Sequence, residues 1–319
     1  MMEKKTLLDV QHLTKHFETA SGMLHAVDDV SFRIECGKTL GIVGESGCGK
    51  STIGRTILRL LEPTSGQVIF DGVNLTTLSK KELRIMRQKM QIIFQDPFSS
   101  LDPRMTVSQT IAEPLKLHGI IRNKREREKR VLELMATVGL AERLYDAYPH
   151  ELDGGRRQRI GIARALAMNP RFIVCDEPVS ALDVSIQAQI LNLMEDIQEK
   201  EGLTYIIITH DLSVVNHIAD EIAVMYMGRM VEKAPAEELF DNPLHPYTQA
   251  LLSAIPVPDI HTEMKRIVLR GEVSSPINPK PCCRFVARCP YAMDKCITDE
   301  PELIELMKDH WVACNLKRA

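Results

Sequence analysis

Gly44-Glu45-Ser46-Gly47-Cys48-Gly49-Lys50-Ser51 sets the fold class of this 319-residue chain. The stretch fits G-x-x-x-x-G-K-[ST] and lies between a buried-strand run, Leu40–Val43, and a helical stretch, Ser51–Leu61. Glycines let a backbone wrap closely around phosphates with successive N–H groups pointing inward, and the helix N-terminus that follows adds partial positive charge. In such a loop Lys50 reaches the β- and γ-phosphates of a nucleotide, and the Ser51 hydroxyl ligates Mg²⁺.

A second signal completes the first. Phe172-Ile173-Val174-Cys175-Asp176-Glu177 describes a buried strand that delivers two carboxylates at its C-terminal edge. Alone the pattern is weak, because any strand can end in acids. Paired with the phosphate loop it places Asp176 in the Mg²⁺ shell and makes Glu177 the general base that polarises an attacking water. Cys48 and Cys175, inside these motifs, read as small packing residues.

The surrounding chain is compatible with that chemistry. At ~150 residues per domain its length allows about two domains. Its 44% apolar residues supply a sizeable core and exclude disorder and collagen-like repetition. With 40 Lys+Arg against 43 Asp+Glu the formal charge is −3, a balance that argues against a protein built to grip nucleic-acid phosphates. No apolar run approaches the ~20 residues of a membrane span. Met1-Met2-Glu3-Lys4-Lys5 is not followed by an apolar stretch, so no secretory signal is expected and the chain reads as cytoplasmic unless partners hold it at a membrane.

Strand-like runs at Leu7–Val10, Val30–Ile34, Gln67–Phe70 and Met90–Phe94 give way, from about Asp96 to Met168, to helical patterns at Val107–Leu117, Arg125–Val138 and Arg156–Ala167. Alternation resumes with the strand Phe172–Cys175, the helix Ile186–Lys200, and the strands Tyr205–Thr209 and Ile222–Met225. The expectation is an α/β core interrupted by a helical insertion. Beyond about Pro246 the chain is rich in Pro and Cys without a clear period. The charged run Lys124–Arg130 includes Glu126 and Glu128 and reads as a solvated helix face rather than a nucleic-acid contact.

Leu152-Asp153-Gly154-Gly155-Arg156-Arg157-Gln158-Arg159, upstream of the acidic strand, resembles the signature segment of ATP-binding cassette (ABC) ATPases. Gln95 matches that family's glutamine loop, Ser180-Ala181-Leu182-Asp183 its D-loop, His210 its switch histidine, and Phe17 the aromatic that stacks on adenine. The resemblance covers essentially residues 5–250. It implies a P-loop NTPase core of the ABC ATPase type over residues 1–250, with a helical subdomain at about 96–167. It also implies ATP and Mg²⁺ as ligands. The phosphates would be cradled by Gly44, Ser46, Gly47, Cys48, Gly49, Lys50, Ser51 and Thr52, and Mg²⁺ held by Ser51, Gln95 and Asp176. Glu177, His210 and Gln95 would be the catalytic residues. In that family ATP is sandwiched between one subunit's phosphate loop and the other's signature, here Asp153, Gly154 and Gly155.

Where the family has Ser, this chain has Asp153, and where it has Gln, Arg156. A carboxylate facing a triphosphate from ~4 Å costs around 1 kcal/mol in water and several at an effective dielectric near 20. Arg156 or Arg157 would offset part of it. A raised pKa that keeps Asp153 neutral would do the same. The departure points to an impaired site at this signature and hence to an asymmetric cassette heterodimer, the alternative being two identical chains with low activity.

Gln95-Asp96-Pro97-Phe98-Ser99-Ser100-Leu101-Asp102-Pro103 and His245-Pro246-Tyr247-Thr248-Gln249-Ala250-Leu251-Leu252 are similar to the ATPases of dipeptide/oligopeptide importers, a group that includes nickel importers. The cysteine-bearing tail, residues 251–319, resembles their C-terminal extension, which in some members carries a four-iron–four-sulfur cluster. By that resemblance Cys283, Cys289, Cys296 and Cys314 would be the ligands. On chemistry alone, four thiolates on a Pro-rich segment suit soft metals, and their wide spacings differ from the C-x₂-C knuckles of structural zinc. An iron–sulfur cluster, zinc and free thiols all remain open. The implied partners are a second cassette ATPase, two transmembrane permease subunits and, through them, an extracytoplasmic peptide-binding protein, with no nucleic acid. The implied location is peripheral, on the cytoplasmic face of the cell membrane. The competing readings are a regulatory ATP-binding subunit that senses iron or redox state through its cysteines, and a nickel-importer ATPase.

Overall fold

The structure is a computed structural model that describes residues 5–96, 100–255, 266–269, 271 and 275–318. Pro97, Phe98 and Ser99 of the importer-like stretch lie outside the described residues. The chain divides into two compact units, one of residues 1–77 and 208–319, the other of residues 78–207. The first unit opens with β1 (Thr6–Thr19), β2 (Gly22–Glu35), β3 (Thr39–Val43), α1 (Lys50–Ile57), β4 (Ser65–Phe70) and β5 (Val73–Asn74). The second holds α2 (Lys80–Met86), β6 (Met90–Ile93), α3 (Val107–Leu117), α4 (Lys124–Thr137), α5 (Gly154–Leu166), β7 (Phe172–Asp176), α6 (Val184–Glu201) and β8 (Thr204–Ile208). The chain then returns to the first unit with α7 (Leu212–Ile218), β9 (Glu221–Tyr226), β10 (Arg229–Pro235), α8 (Ala236–Asp241), α9 (Pro246–Leu252), α10 (Asp294–Thr298), β11 (Ile304–Met307) and β12 (His310–Val312).

In the first unit an antiparallel sheet of order β2-β1-β4-β5 accompanies strands of order β11-β12-β10-β9-β3. β3 is buried at all five positions and pairs in parallel with β9, Leu40 opposite Glu221 and Val43 opposite Val224. A strand covered on both faces reads as an unbroken apolar run, which is why its sequence was legible. β1 and β2 are each 14 residues long, well beyond the short runs expected at Leu7–Val10 and Val30–Ile34. Register shifts between Val10 and Leu13 and between Leu13 and Lys15, with His12 at φ 49, interrupt the two-residue alternation while the pairing continues.

The described C-terminal residues include regular elements as well. α9 begins on Pro246 at its first turn, with the His245 Nδ1 accepting the Tyr247 N–H at 3.0 Å. β12 pairs antiparallel with β10, Val312 opposite Glu232, and the Ala313 N–H donates to the Val231 carbonyl. Glu232, fully buried, is what holds these pieces together. It accepts the Leu244 N–H at 2.6 Å and the His245 N–H at 2.9 Å, and pairs with His310 Nε2 at 2.8 Å. A buried carboxylate is tolerable only with such donors around it.

The second unit follows its sequence pattern more closely. Val131, Leu134, Met135 and Val138 recur at helical spacing and are all buried, giving α4 one apolar face. Thr106 and Gln109 form a capping box at the start of α3. β6 and β7 run parallel, Met90 opposite Phe172 and Ile93 opposite Cys175.

His245 makes the first unit sensitive to acid. Its burial holds the imidazole down at about 4, against the opposing pull of the Glu232 charge. The unfolded chain takes up a proton at His245 below about 6.5 while the folded chain does not. Stability from this group is therefore complete above pH ~6.5 and is lost, by roughly 2–3 kcal/mol, as pH falls toward ~4. Thermal melts followed by circular dichroism at pH 7.5, 6 and 5 should show a steeper fall in Tm for the native chain than for His245→Asn, which keeps a capping oxygen without the titration.

Candidate functional site

In the first unit, β3 runs straight into the glycine loop. Gly49 is the N-cap of α1 at φ 104, and the helix end carries no side-chain cap, the arrangement in which a bound phosphate supplies the acceptor. A Cβ on Gly49 would lie 1.9 Å from the Ala26 carbonyl oxygen, and one on Gly44 2.2 Å from that of Met225, so neither position admits another residue. Lys50 is buried. Its Nζ donates to the Gly44 carbonyl at 2.7 Å and the Glu45 carbonyl at 2.9 Å. A polyphosphate in this loop offers Nζ charged acceptors, which bind more strongly than carbonyls. Ser46 and Gly47 are exposed, Ser51 and Thr52 half-buried, and the Cys48 thiol is buried 3.8 Å from Lys50 Nζ. His210 belongs to the same unit. The neighbouring Thr209 N–H donates to the Ile42 carbonyl at 3.1 Å, anchoring exposed His210 beside the strand that feeds the loop. Phe17 is half-buried, with Lys15 Nζ 4.7 Å from its ring centre.

In the second unit, the β6–β7 register explains a contact the sequence could not show. Gln95 and Glu177 each stand two residues beyond the paired Ile93 and Cys175, and Gln95 Nε2 donates to Glu177 Oε2 at 2.8 Å. Asp176 is buried at the strand end. Glu177 sits at φ 49, a left-handed conformation that costs a non-glycine residue about 1–3 kcal/mol and marks a constrained site. The Ser180 hydroxyl holds the Glu177 carbonyl at 3.2 Å, and Asp183 caps α6 through the Ile186 N–H.

The signature residues form the start of α5. Asp153 is its N-cap, with Oδ1 accepting the Arg156 N–H at 2.8 Å and Oδ2 lying 3.3 Å from Arg156 Nη1. Of the two arginines expected to offset its charge, Arg156 does so. Arg157 instead is buried and donates to the Pro149 carbonyl. Gly154 and Gly155 are glycines for packing: a Cβ would meet Leu182 at 3.0 Å and Ile186 at 2.6 Å respectively.

The thiols of Cys283, Cys289, Cys296 and Cys314 are free and lie within electrostatic reach of one another. Burial pushes Cys283 up to about 12, and the three other thiols add to the rise. Among the described residues, no three of these sulfurs fall within 4.8 Å of one another. A single tetrahedral zinc, with Zn–S near 2.3 Å, would hold three such sulfurs closer together than they stand here. The group of metal-type ligands that does come together is His16, His25 and Asp28. There, however, Asp28 is claimed by Arg284 and Arg229. Burial opposes its charge, but the His25 hydrogen bond and the two arginines outweigh that and hold it at about 2. It is an ion-pair hub. A hollow of about 880 Å³ lined by Asp9, Lys233 and Trp311 lies elsewhere in the first unit and contains no site residue.

Sequence reading missed the residues that grip Glu45. Tyr247 Oη accepts the Glu45 N–H at 2.8 Å, and Arg288 meets the Glu45 carboxylate with both terminal nitrogens, at 2.6 and 3.1 Å. Tyr247 stood within a quoted family stretch but without a role, and Arg288, though beside the candidate ligand Cys289, belongs to no motif of its own.

The phosphate loop, the acid-ended strand with its glutamine partner, and a glycine-led signature helix together define an ATP-binding cassette, and comparison with known proteins agrees. Residues 27–180 match the ABC transporter family and residues 231–296 the oligopeptide/dipeptide transporter C-terminal region. The chain is 52% identical to the oligopeptide transport ATP-binding protein AppF of Bacillus subtilis (strain 168), over 98% of both chains. It is also 52% identical, over 98% of each, to a Brucella ovis protein named for peptide import and ATP binding. The dimeric cassette MJ0796 in a post-hydrolysis state with ADP and Pi superposes with a TM-score of 0.66, at 32% identity over 72% of this chain and 99% of that one. The protein cbiO1 of Clostridium perfringens, part of an ABC transporter complex, gives 0.66 at 30% identity over 75% and 92%. The chain belongs to the ABC transporter family, among the ATP-hydrolysing subunits of its oligopeptide/dipeptide branch.

Because the Asp153 side chain is the cap of α5, Asp153→Ala should lower stability by about 1 kcal/mol in urea unfolding, whereas Asp153→Ser should stay within a few tenths of the native value.

Proposed function

We propose that the chain binds Mg-ATP in a cassette dimer and couples its hydrolysis to uptake of di- or oligopeptides through transmembrane permease subunits at the cytoplasmic face of the membrane. The contact between Gln95 and Glu177 carries this reading, because it orients a carboxylate at the end of a buried strand beside the Mg²⁺ candidate Asp176. The names of the relatives support the peptide cargo. Among the described residues no helix is long and apolar enough to cross a membrane, so permease partners would provide the path.

ATP, when bound with Mg²⁺, supplies the phosphoanhydride bond that is cleaved. Lys50 neutralises phosphate charge, and Ser51 and Asp176 are the groups that would hold the metal. Glu177 accepts the proton of the attacking water, with Gln95 fixing the carboxylate, and His210 stabilises charge at the γ-phosphate. Phe17 presents a ring face for the adenine, and Asp153, Gly154 and Gly155 face the nucleotide of a partner cassette. Asp153, paired with Arg156 across 3.3 Å, still puts a carboxylate where the family has a neutral Ser, which favours a partner with an intact signature and so a heterodimer. An extracytoplasmic peptide-binding protein would deliver cargo to the permease.

Mg-ATP hydrolysis measured for the chain alone and for the assembly with permeases and a second cassette tests this. Turnover confined to the heteromeric assembly is expected, and equal turnover by the isolated chain would end the heterodimer reading. In the assembly, Glu177→Gln should lower turnover by roughly 10²–10⁴-fold while nucleotide still binds.

The four thiols of the extension, close enough to act on one another electrostatically, are soft ligands that would hold an iron–sulfur group. Anaerobically purified protein should then contain iron and acid-labile sulfide, both lost in Cys289→Ser. Zinc alone, or no metal, would sink this assignment.

A further inference from the structure

Glu45 poses a problem for a loop that receives a polyphosphate. It is the second residue of Gly44–Ser51, and its carboxylate would repel the ligand's charge. In the structure that carboxylate is taken up by Arg288, whose side chain is 9% exposed against 28% for Glu45. The pairing is two-pronged, the geometry in which a guanidinium fixes both position and orientation. The Glu45 backbone is held separately, its N–H donating to Tyr247 Oη. A second tether runs from the same segment. Arg284 donates to the Met227 carbonyl, and the next residue, Gly228, donates its N–H to the Cys48 carbonyl inside the loop at 2.9 Å.

Both arginines flank a buried aromatic anchor. Phe285, 1% exposed, lies between them in sequence and packs edge-on to Tyr226, ring centres 5.2 Å apart, and against Tyr247 at 5.4 Å. Cys283 and Cys289 flank the segment, so the thiol-bearing extension carries both arms.

We propose that Arg288, with Tyr247, is a positioning residue of the nucleotide site: it holds the phosphate loop through Glu45 and cancels the charge Glu45 would present to the ligand. Nucleotide affinity is thereby set by the C-terminal extension. The inference rests on the reading of Gly44–Ser51 as the nucleotide cradle.

Calorimetric titration of the full chain with ADP tests it, alongside thermal melts. Arg288→Ala should weaken ADP binding by about five- to twentyfold, within the range of coupling between contacting charged groups. Arg288→Lys, which keeps the charge without the fork, should recover part of the loss. Glu45→Gln removes the repulsion, so Arg288→Ala added to Glu45→Gln should cost little more; a merely structural loss at Arg288 would not be relieved this way. Equal ADP affinity in Arg288→Ala and the native chain overturns the proposal, as does a double variant showing the full sum of the two single losses. If the native chain fails to bind ADP, the cradle reading itself falls.

Discussion

Burial of one ammonium group organises the nucleotide-binding part of this molecule. Lys50 is 5% exposed, and an ammonium so far from water must have its donors met by protein. The Gly44 and Glu45 carbonyls meet them, and they come within reach only because the backbone turns back on itself across the loop. That turn is permitted by glycines whose Cβ positions are already filled by the carbonyls of Ala26 in β2 and Met225 in β9. The loop is thus shaped less by its own residues than by two strands remote from it in sequence. The same contacts that bury Lys50 leave it where phosphate oxygens can replace carbonyls as its acceptors.

The second constraint is charge balance around residues that cannot be solvated. Glu232 is fully buried and gathers backbone N–H groups from the start of α9 together with His310 beside β12. Asp28 gathers Arg284 and Arg229, and Glu45 gathers Arg288. In each case a carboxylate in the cassette part of the chain is met by a group from the C-terminal part. The extension is therefore wired into the first unit by ion pairs and strand pairing, and two of its arginines end at or next to the phosphate loop.

Much of this was legible in the sequence, for physical reasons that differ by element. β3 and β7 are covered on both faces, so their apolar runs are unbroken, and the helix at Val107–Leu117 has the bounds its pattern predicts. The motif residues stand where short-range pattern places them, Lys50 at the start of α1 and Asp176 and Glu177 at the end of β7. The lengths of β1 and β2 were not legible, because bulges shift the alternation partway along. Nor were helix α9 and strands β11 and β12, which are too short for periodicity to declare and depend on packing against β10 and Glu232. The aspartate at position 153 read as a defect of the signature. In the folded chain it is also the cap of α5, a role open to the serine it replaces.

By itself the sequence determined which chemistry this protein carries, since a glycine loop followed by Lys-Ser and a strand ending in Asp-Glu are local patterns whose residue types follow directly from what phosphates and Mg²⁺ require. Only the tertiary structure decided which side chains hold those groups in place: Gln95 on Glu177 through the β6–β7 register, Arg156 rather than Arg157 on Asp153, and Tyr247 with Arg288 on Glu45. Ion pairs between residues as distant as 45 and 288 have no sequence period. They form where strand order and burial bring a carboxylate and a guanidinium together away from water, and that is settled by the fold as a whole.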